Sequence, residues 1–361
     1  MKCNIVLDDR SHGGIIEKMA SRLSEAVRNL GISCDLNNRP SPNADINHFM
    51  IFHYASGQTG TKNTMFITHV DDPLKVQILK HQFKTVDVGI CMSRMAAKSL
   101  MEVGIPKESL CYITPPHDGA VRPRRIRIGI TTHLYDDGRK REALIVRLAK
   151  EMNLCDFQFE IFGLRWQKVV EELRAGNATV NLHEGAGDYQ ADYAELCRSI
   201  PEFDYYLYLG LDEGSLGTLD ALSAGVPTII TEQGFHLDLP NGITYPVLEY
   251  GQLRSAFEKI AMERRARINA VAGLTWAYYA QKHLDIWETL LNGKKMHLAE
   301  ILDQRQLACL RMPQVEIYTK QIRGISSYWK FTNGMRWNAL KSYYLPKLKR
   351  RVGRVMNKRS G

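Results

Sequence analysis

Two carboxylates stand eight positions apart around a turn of small residues, at Asp212 and Asp220. Residues 205–209, immediately upstream, are apolar and aromatic, which predicts a buried strand. Gly214 and Ser215 can open a helix, and a later Gly-Val-Pro triplet ends that helix before another strand. In α/β proteins, a strand, a turn and a helix N-terminus in this order hold phosphate or sugar groups at the carboxyl edge of a parallel sheet. On spacing alone, a simple crossover with two solvated acids is equally compatible.

The segment resembles the acidic motif of retaining GT-B glycosyltransferases, in which a Glu, seven intervening residues and a second Glu precede Ala-x-x-x-Gly-x-Pro. The matching positions in this chain are Asp212, Asp220, Ala221, Gly225 and Pro227. Both acids are Asp, the shorter side chain, and the adjacent Glu213 would be the first member if the loop were shifted by one residue. The sequence therefore leaves the first acid open between Asp212 and Glu213.

The elements that must position these residues alternate between strand and helix patterns in two successive halves of the chain. The second half begins with a strand at residue 126, a single strand is predicted over residues 46–53, and a helix over residues 139–152. Two alternating halves predict an α/β fold of two doubly wound, Rossmann-like domains that face each other across a cleft, which is the GT-B architecture. The expected segments are an acceptor domain, a nucleotide-sugar donor domain, helices that return to the first domain, and a basic amphipathic helical tail: residues 1–120, 121–274, 275–310 and 311–361.

Cations are expected near the leaving group, because sugar transfer from a nucleotide donor places charge on the departing diphosphate. Arg139 and Lys140 follow the first strand of the second half, and the resemblance implies phosphate binding by Lys140 and, less directly, by Arg139. Taken alone, the two residues also fit a charged first turn of a surface helix. Gly13 and Gly14 precede the first helix, where bare backbone N–H groups can bind the same diphosphate, although a plain tight turn is equally consistent.

His69 lies just past a predicted strand end, where the cleft residues of parallel sheets collect. In similar transferases a His at this point contacts the donor sugar and the acceptor region, and the resemblance implies that role here. The neighbouring Asp71 and Asp72 either orient an acceptor hydroxyl or cap the helix that follows them.

Around the acidic turn, the resemblance implies that Asp212 or Glu213 hydrogen-bonds the donor sugar and that Asp220 binds the nucleotide ribose. Enzymes of this kind are thought to react on the front face of the sugar, with the departing phosphate taking the acceptor proton, so no second catalytic carboxylate is required. The further donor-binding candidates are Gly214, Ser215, Leu216, Gly234 and His236, with Asp238 as an alternative to His236.

Composition disfavours several other classes of protein. The 361 residues are 44% hydrophobic and 24% charged, which is ordinary for a soluble chain with two cores. The 7 cysteines are odd in number and contain no Cys-x-x-Cys pair, which favours reduced cytosolic thiols over a disulfide framework or zinc site. Without an Asp-x-Asp motif or paired histidines, we expect no essential metal and no cofactor beyond the nucleotide-sugar co-substrate. No apolar run approaches the ~20 residues of a membrane span, and the first residues fit a strand better than a signal peptide.

The net charge of +9 is concentrated at the C-terminus. Residues 311–361 hold 13 Lys and Arg and one acid, a charge of +12, so the preceding residues carry −3. Aromatic residues interleave with the cations, and residues 343–356 place apolar and basic side chains on opposite helical faces. This pattern favours binding to an anionic membrane surface, with each cation contributing about 1 kcal/mol. Nucleic acid is a less favoured partner, and a solvated extension is the remaining alternative.

These features together predict a retaining, metal-independent GT-B glycosyltransferase that moves a sugar from a nucleotide-sugar donor to a glycan or lipid-linked acceptor. The tail and the resemblance place it in the cytoplasm, peripheral to the inner face of the membrane, in the assembly of a bacterial surface polysaccharide or glycolipid. Two alternatives remain: a non-hydrolysing sugar-nucleotide epimerase, which shares the two-domain architecture, and a non-catalytic transferase-like subunit.

Overall fold

The computed structural model describes residues 1–9, 14–57, 60–185, 187–294 and 312–324. The described residues form two compact units: unit 1 contains those of residues 1–119 and those from residue 273 onward, and unit 2 contains those of residues 120–272. The domain ends expected from the sequence, at residues 120 and 274, fall within two residues of these divisions. Unit 1 is therefore built from two separate stretches of chain, with unit 2 inserted between them.

Unit 1 is a six-stranded parallel sheet with the strand order β2-β1-β3-β4-β5-β6. Its strands are β1 Lys2–Val6, β2 Ser33–Asn37, β3 Ile46–Phe49, β4 Lys62–Ile67, β5 Val88–Cys91 and β6 Leu110–Tyr112. Its helices in the first stretch are α1 Ile15–Asn29, α2 Pro73–Gln82 and α3 Arg94–Glu102. Strands β3 and β5 are buried along their whole length, as expected for a parallel sheet with both faces covered. The side chains of Asp72 and Ser93 cap the N-termini of α2 and α3.

Unit 2 is a second six-stranded parallel sheet, with the order β12-β11-β10-β7-β8-β9. Its strands are β7 Ile126–Ile130, β8 Phe157–Phe162, β9 Thr179–His183, β10 Tyr205–Tyr208, β11 Thr228–Ile230 and β12 Tyr245–Pro246. Its helices are α4 Glu142–Glu151, α5 Gln167–Ala175, α6 Tyr189–Ser199, α7 Leu216–Ser223 and α8 Tyr250–Ala272. Helices connect most successive strands, so the prediction of an α/β fold with two doubly wound, Rossmann-like domains is confirmed.

Two predicted elements have different boundaries in the structure. The strand expected over residues 46–53 ends at Phe49, because its neighbour β1 ends opposite at Val6, and the chain then turns through a 3₁₀ segment, Phe52–Tyr54. The helix expected from Arg139 begins only at Glu142. Arg141 before it has a φ of 55°, a left-handed conformation that an α-helix does not accept. Arg139 and Lys140 therefore lie in a loop, and the alternative of a charged first helical turn is wrong.

Two later helices return to unit 1: α9 Trp276–Leu291 and α10 Met312–Arg323. Helix α10 packs mainly on α3 and also on α2, and Ile322 is 1% exposed within the core of unit 1. The tail predicted to begin at residue 311 therefore starts with a helix that belongs to unit 1, and the amphipathic stretch 343–356 lies outside the described residues. Within the described ranges, no helix combines the length and the hydropathy needed to cross a membrane.

A polar cluster lies at the centre of the core of unit 1. The Nε1 atom of Trp287 donates a hydrogen bond to Thr64 Oγ1 at 3.2 Å, and Nδ1 of His48 lies 2.9 Å from the same oxygen. The ring of His283 stands edge-on to that of His48 at 5.0 Å and donates from Nδ1 to the carbonyl of Tyr279 at 2.8 Å. Burial lowers the pKa of both histidines, that of His283 to about 4, so both rings are neutral at pH 7.

Candidate functional site

Lys140 and Asp212 form an ion pair at the carboxyl edge of the unit 2 sheet. Lys140 follows β7 and Asp212 follows β10, and these two strands are neighbours in the sheet. The Nζ of Lys140 lies 2.6 Å from Oδ2 of Asp212, and the two side chains are only 11% and 22% exposed. Tyr208, the last residue of β10, accepts a hydrogen bond from Lys140 at 2.8 Å and donates one to Oδ1 of Asp212. Two residues predicted as site members from their types are therefore in direct contact.

The protonation states of this cluster follow from its contacts. Burial on its own would raise the pKa of Asp212, but hydrogen bonds from Lys140, Tyr208 and the backbone N–H of Gly214 outweigh it and hold the pKa below its ordinary value. Burial, together with the bond to Asp212, raises the pKa of Tyr208. Asp212 is thus a carboxylate at neutral pH and Tyr208 a neutral donor. A Lys ammonium has three N–H donors and two are engaged here, which leaves one for an anionic ligand.

The two adjacent acids of the turn have different environments. Asp212 contacts Lys140, whereas Glu213 has an exposed side chain and contributes its backbone carbonyl, which accepts from the N–H of Phe235 at 3.1 Å. The sequence left the first acid of the motif open between Asp212 and Glu213. The ion pair with Lys140 favours Asp212.

The glycines of the two site loops allow those loops to pack closely. Gly214 has a φ of 115°, and a Cβ there would lie 2.7 Å from the ring of Phe235. Gly234 has a φ of 56°, and a Cβ there would lie 2.2 Å from the carbonyl oxygen of Glu213. Both predicted donor-binding glycines are therefore required by the fold itself, and a contact with phosphate stays a prediction for each.

Helix α7 begins close to the end of β7, and a glycine in its first turn, Gly217, lies at the point of contact. A Cβ on Gly217 would lie 2.0 Å from Thr131 Oγ1 and 2.6 Å from Tyr206 OH. The hydroxyl of Tyr206 lies 2.8 Å from both Thr131 Oγ1 and Ser215 Oγ, so a chain of hydroxyls joins the two strand ends to the helix start. Leu216, the first residue of α7, is 73% exposed. The positive end of the helix is thereby held at the carboxyl edge of the sheet.

His236 is fixed as a neutral ring beneath this helix start. Its Nδ1 lies 3.1 Å from the carbonyl oxygen of Thr231, which can only accept, and its Nε2 lies 3.1 Å from the backbone N–H of Ser215, which can only donate. The proton is therefore on Nδ1, and Nε2 is an acceptor. Thr218 Oγ1 also lies 3.0 Å from Nε2, and His236 is 1% exposed. A donor sugar could reach this ring only if these bonds were broken.

A cavity of about 400 Å³ opens beside the ion pair, lined entirely by residues of unit 2. Arg139 and Lys140 are among the residues that line it. Phe162 and His183 line it as well, and their rings stack at 4.2 Å with an angle of 4° between their planes. His183 is held between two carboxylates, 3.2 Å from Glu160 and 3.1 Å from Glu195. The volume is that of a small-molecule site, and its lining includes both cations and aromatic rings.

Asp220 contacts a residue that lines the same cavity. Tyr193, which lines the cavity, points its hydroxyl at Oδ1 of Asp220 at a distance of 3.4 Å. Asp220 is on α7 and is partly exposed. Arg139, the other predicted cation, packs its guanidinium 4.2 Å from the ring of Tyr135 and is 44% exposed.

The predicted site residues of the first domain lie at the ends of unit 1 strands. His69 follows β4 and has a φ of 49°, a left-handed conformation that is uncommon outside glycine. Asp72 caps α2 by accepting from the N–H of Lys75 at 2.9 Å, and the ammonium of Lys75 contacts Asp71. The capping alternative thus holds for Asp72. Gly14 precedes α1 in an extended conformation, and a Cβ there would meet nothing within 4 Å, so the fold does not require this glycine. Gly13 lies outside the described residues.

Several residues of the site are not evident from sequence patterns. Tyr208 and Tyr206 were predicted only as apolar strand residues, yet their hydroxyls organise the turn. A strand of alternating tyrosines that ends in an acidic loop was the available signal.

Among the described residues, no group of three or more His, Cys, Asp or Glu side chains is arranged to hold a metal ion. The six cysteines within the described ranges are free thiols.

Comparison with known proteins finds resemblances of fold. No family model matches the chain, and no curated protein matches its sequence. Among solved structures, Anabaena Alr3699/HepE in complex with UDP and glucose is 13% identical and covers 81% of this chain and 100% of its own, with a TM-score of 0.29. The lipopolysaccharide outer core galactosyltransferase WaaB is 12% identical over 79% of this chain and 98% of its own, with a TM-score of 0.32. UDP-GlcNAc 2-epimerase from Neisseria meningitidis is 13% identical over 81% and 100%, with a TM-score of 0.27. At these values the similarities do not assign a function.

Proposed function

We propose that this chain is a glycosyltransferase that uses a nucleotide sugar as donor, with GT-B architecture and with retention at the anomeric carbon. The observation that carries the proposal is the contact of Lys140 with Asp212, the first acid of the motif, at the rim of a cavity of about 400 Å³. One edge of the sheet holds a lysine with an unused N–H donor, a carboxylate and a helix N-terminus. This combination suits a ligand that carries both phosphate and hydroxyl groups.

The nucleotide is assigned to the cavity of unit 2. The stacked rings of Phe162 and His183 offer a flat face to the base, and Asp220, beside Tyr193, is placed to accept hydrogen bonds from the ribose hydroxyls. The diphosphate then lies towards Arg139 and Lys140, which line the same cavity.

The reaction assigned to this arrangement breaks the bond between the anomeric carbon and the leaving diphosphate oxygen. Negative charge grows on that oxygen, and the remaining N–H of Lys140 stabilises it. Asp212 holds a hydroxyl of the transferred sugar, and Tyr208 keeps Asp212 oriented. The new bond forms from the acceptor oxygen on the same face, and the acceptor proton passes to the departing phosphate. The acceptor is assigned to unit 1, with His69 as a contact to it.

The acceptor class and the location are proposed from the tail. A basic, aromatic segment suits an anionic membrane surface, so we assign a glycan or lipid-linked acceptor in bacterial surface polysaccharide or glycolipid assembly, with the protein cytoplasmic and peripheral at the inner membrane face. The reaction is assigned no metal and no cofactor besides the co-substrate.

The test is a panel of UDP-, GDP-, ADP- and dTDP-sugars, each incubated with the protein in the presence and absence of a membrane extract. Nucleoside diphosphate release that requires the extract, together with a glycan or lipid product heavier by one sugar, is the expected result. NMR of the product linkage then reports retention or inversion. An isomerised donor without acceptor would instead establish an epimerase, and donor binding without either product would establish a non-catalytic subunit.

A further inference from the structure

The loop that carries His69 is held by side chains from a distant part of the chain. Three consecutive backbone carbonyls of this loop each accept a hydrogen bond from a side chain. That of His69 accepts from Lys75 Nζ at 2.8 Å, and that of Val70 accepts from Tyr318 OH at 2.6 Å. That of Asp71 accepts from Gln321 Nε2 at 3.2 Å. Two of the three donors therefore come from α10, some 250 residues later.

Helix α10 is anchored well enough to act as a fixed support. Ile322 and Thr319 are 1% and 2% exposed, and Arg323 donates to the carbonyl of Glu102, the last residue of α3, at 2.5 Å. Burial raises the pKa of Tyr318 to about 12, so its hydroxyl remains a donor at all physiological pH values. Gly324 then ends the helix against Pro73, the first residue of α2. Helix α10 therefore contacts the His69 loop and also both α3 and α2.

The loop needs such a support because of its backbone conformation. A non-glycine residue at a φ of 49° is disfavoured and persists only when its surroundings hold it. The hydrogen bonds accepted by the carbonyls of His69, Val70 and Asp71 supply such a support.

We propose that Tyr318 and Gln321 are positioning residues for the His69 loop, so that α10 supports the part of unit 1 to which the acceptor is assigned. The kinetic part of this inference rests on the proposed function, whereas its structural part does not. Neither residue touches substrate in this proposal, and each acts through the loop carbonyl that it binds.

The test compares Tyr318→Phe with Tyr278→Phe, a matched variant of a tyrosine on α9 that is 45% exposed. Hydrogen–deuterium exchange of peptides covering residues 66–72 is expected to be at least about 5-fold faster in Tyr318→Phe, with exchange elsewhere unchanged, and to match the wild type in Tyr278→Phe. Gln321→Ala is expected to give a smaller change of the same sign, and the two substitutions together a larger one. Unchanged exchange in both α10 variants would overturn the proposal.

Kinetics separate positioning from a general loss of structure. In the transfer assay, Tyr318→Phe is expected to lower kcat by about 5-fold while the dissociation constant of the donor stays unchanged, because the donor is assigned to unit 2. Equal losses in donor affinity and kcat would contradict a role confined to the His69 loop. If no donor in the panel turns over, the proposed function fails, while the exchange measurement still decides whether α10 holds the loop.

Discussion

The ammonium of Lys140 lies 2.6 Å from Oδ2 of Asp212, although 72 positions separate the two residues in the chain. The pair brings together the ends of two neighbouring strands, and Tyr208 bridges both partners. In a sheet of this topology such an edge collects ligands, and the proposed donor diphosphate is assigned to this edge.

Replacing Lys140 by Met tests this pair. We expect turnover to fall about 100-fold to 1,000-fold, because the charge on the leaving phosphate loses its stabilising cation. Lys168→Met, at an exposed lysine on α5 of the same unit, is the control and should retain wild-type rates. Steady-state kinetics with the donor found in the panel measure both, and a Lys140→Met enzyme of normal kcat would exclude Lys140 from the reaction.

His236 is expected to act through structure. His236→Ala removes the acceptor for the N–H of Ser215 and the donor to the carbonyl of Thr231, which should lower the free energy of unfolding by about 1–3 kcal/mol. Donor affinity should weaken at the same time, because the start of α7 loses its support. Denaturant unfolding and calorimetric donor titration measure the two effects, with exposed His81 replaced by Ala as the control. Weaker donor binding at unchanged stability would instead indicate a direct contact with the sugar.

Gly217→Ala should damage unit 2, whereas Gly251→Ala should not. A Cβ at Gly217 would lie 2.0 Å from Thr131 Oγ1, so α7 must shift away from the end of β7, at a cost of about 1–3 kcal/mol. Gly251 lies in α8 with nothing within 4 Å of a Cβ, and alanine there favours the helix. Thermal unfolding of the two variants gives the comparison. Equal melting temperatures would show that the hydroxyl chain at the start of α7 tolerates displacement.

The buried histidines should make the stability of unit 1 sensitive to acid. The pKa of His283 is about 4 when folded and 6.5 when unfolded, so between these values the unfolded chain binds more protons and stability falls as pH decreases. For this residue alone, the free energy of unfolding should drop by about 2 kcal/mol from pH 7.5 to pH 5. His283→Phe should weaken this pH dependence, and His81→Gln should leave it intact. Denaturant unfolding at the two pH values measures the difference, and identical slopes in all three proteins would contradict the prediction.

The tail should be tested by truncation after Gly324, since α10 belongs to unit 1. Removal of residues 325–361 is expected to reduce sedimentation with vesicles of phosphatidylcholine and phosphatidylglycerol at equal amounts, while unfolding stays as in the full chain. Removal from residue 312 onward should also lower stability, because it takes Ile322 out of the core. A chain ending at Gly324 that sediments as well as the full protein would refute membrane binding by the tail.

The fold could be predicted from the sequence because buried parallel strands and amphipathic helices leave local patterns. The run at β10 and the small-residue turn after it are examples, and both lie where they were expected. Helix α8 was not predicted, since its buried residues are confined to its first half, residues 253–261, and the remainder is mostly exposed, including its apolar residues Met262 and Val271.

The site was predicted only in part, for a physical reason. Residue types, loop positions and the resemblance to GT-B transferases indicated Lys140 and Asp212 as site residues, but their contact depends on the order of strands in the sheet, which no local pattern records. The same limit applies to Tyr318, whose hydrogen bond to Val70 joins positions 248 residues apart. His236 was predicted to contact the donor because it lies in a site loop. In the structure both of its ring nitrogens form hydrogen bonds within the protein.

Trp287 fills the middle of unit 1 with no exposed surface and bonds to Thr64, 223 positions before it. During synthesis the first six strands therefore leave the ribosome well before the side chain that completes their interior, while unit 2 emerges whole in between. Until α9 is synthesised, the nascent amino-terminal sheet lacks the side chain that fills its interior. A chain that ends before residue 276 should therefore bind chaperones or aggregate, even though all strands of unit 2 are present.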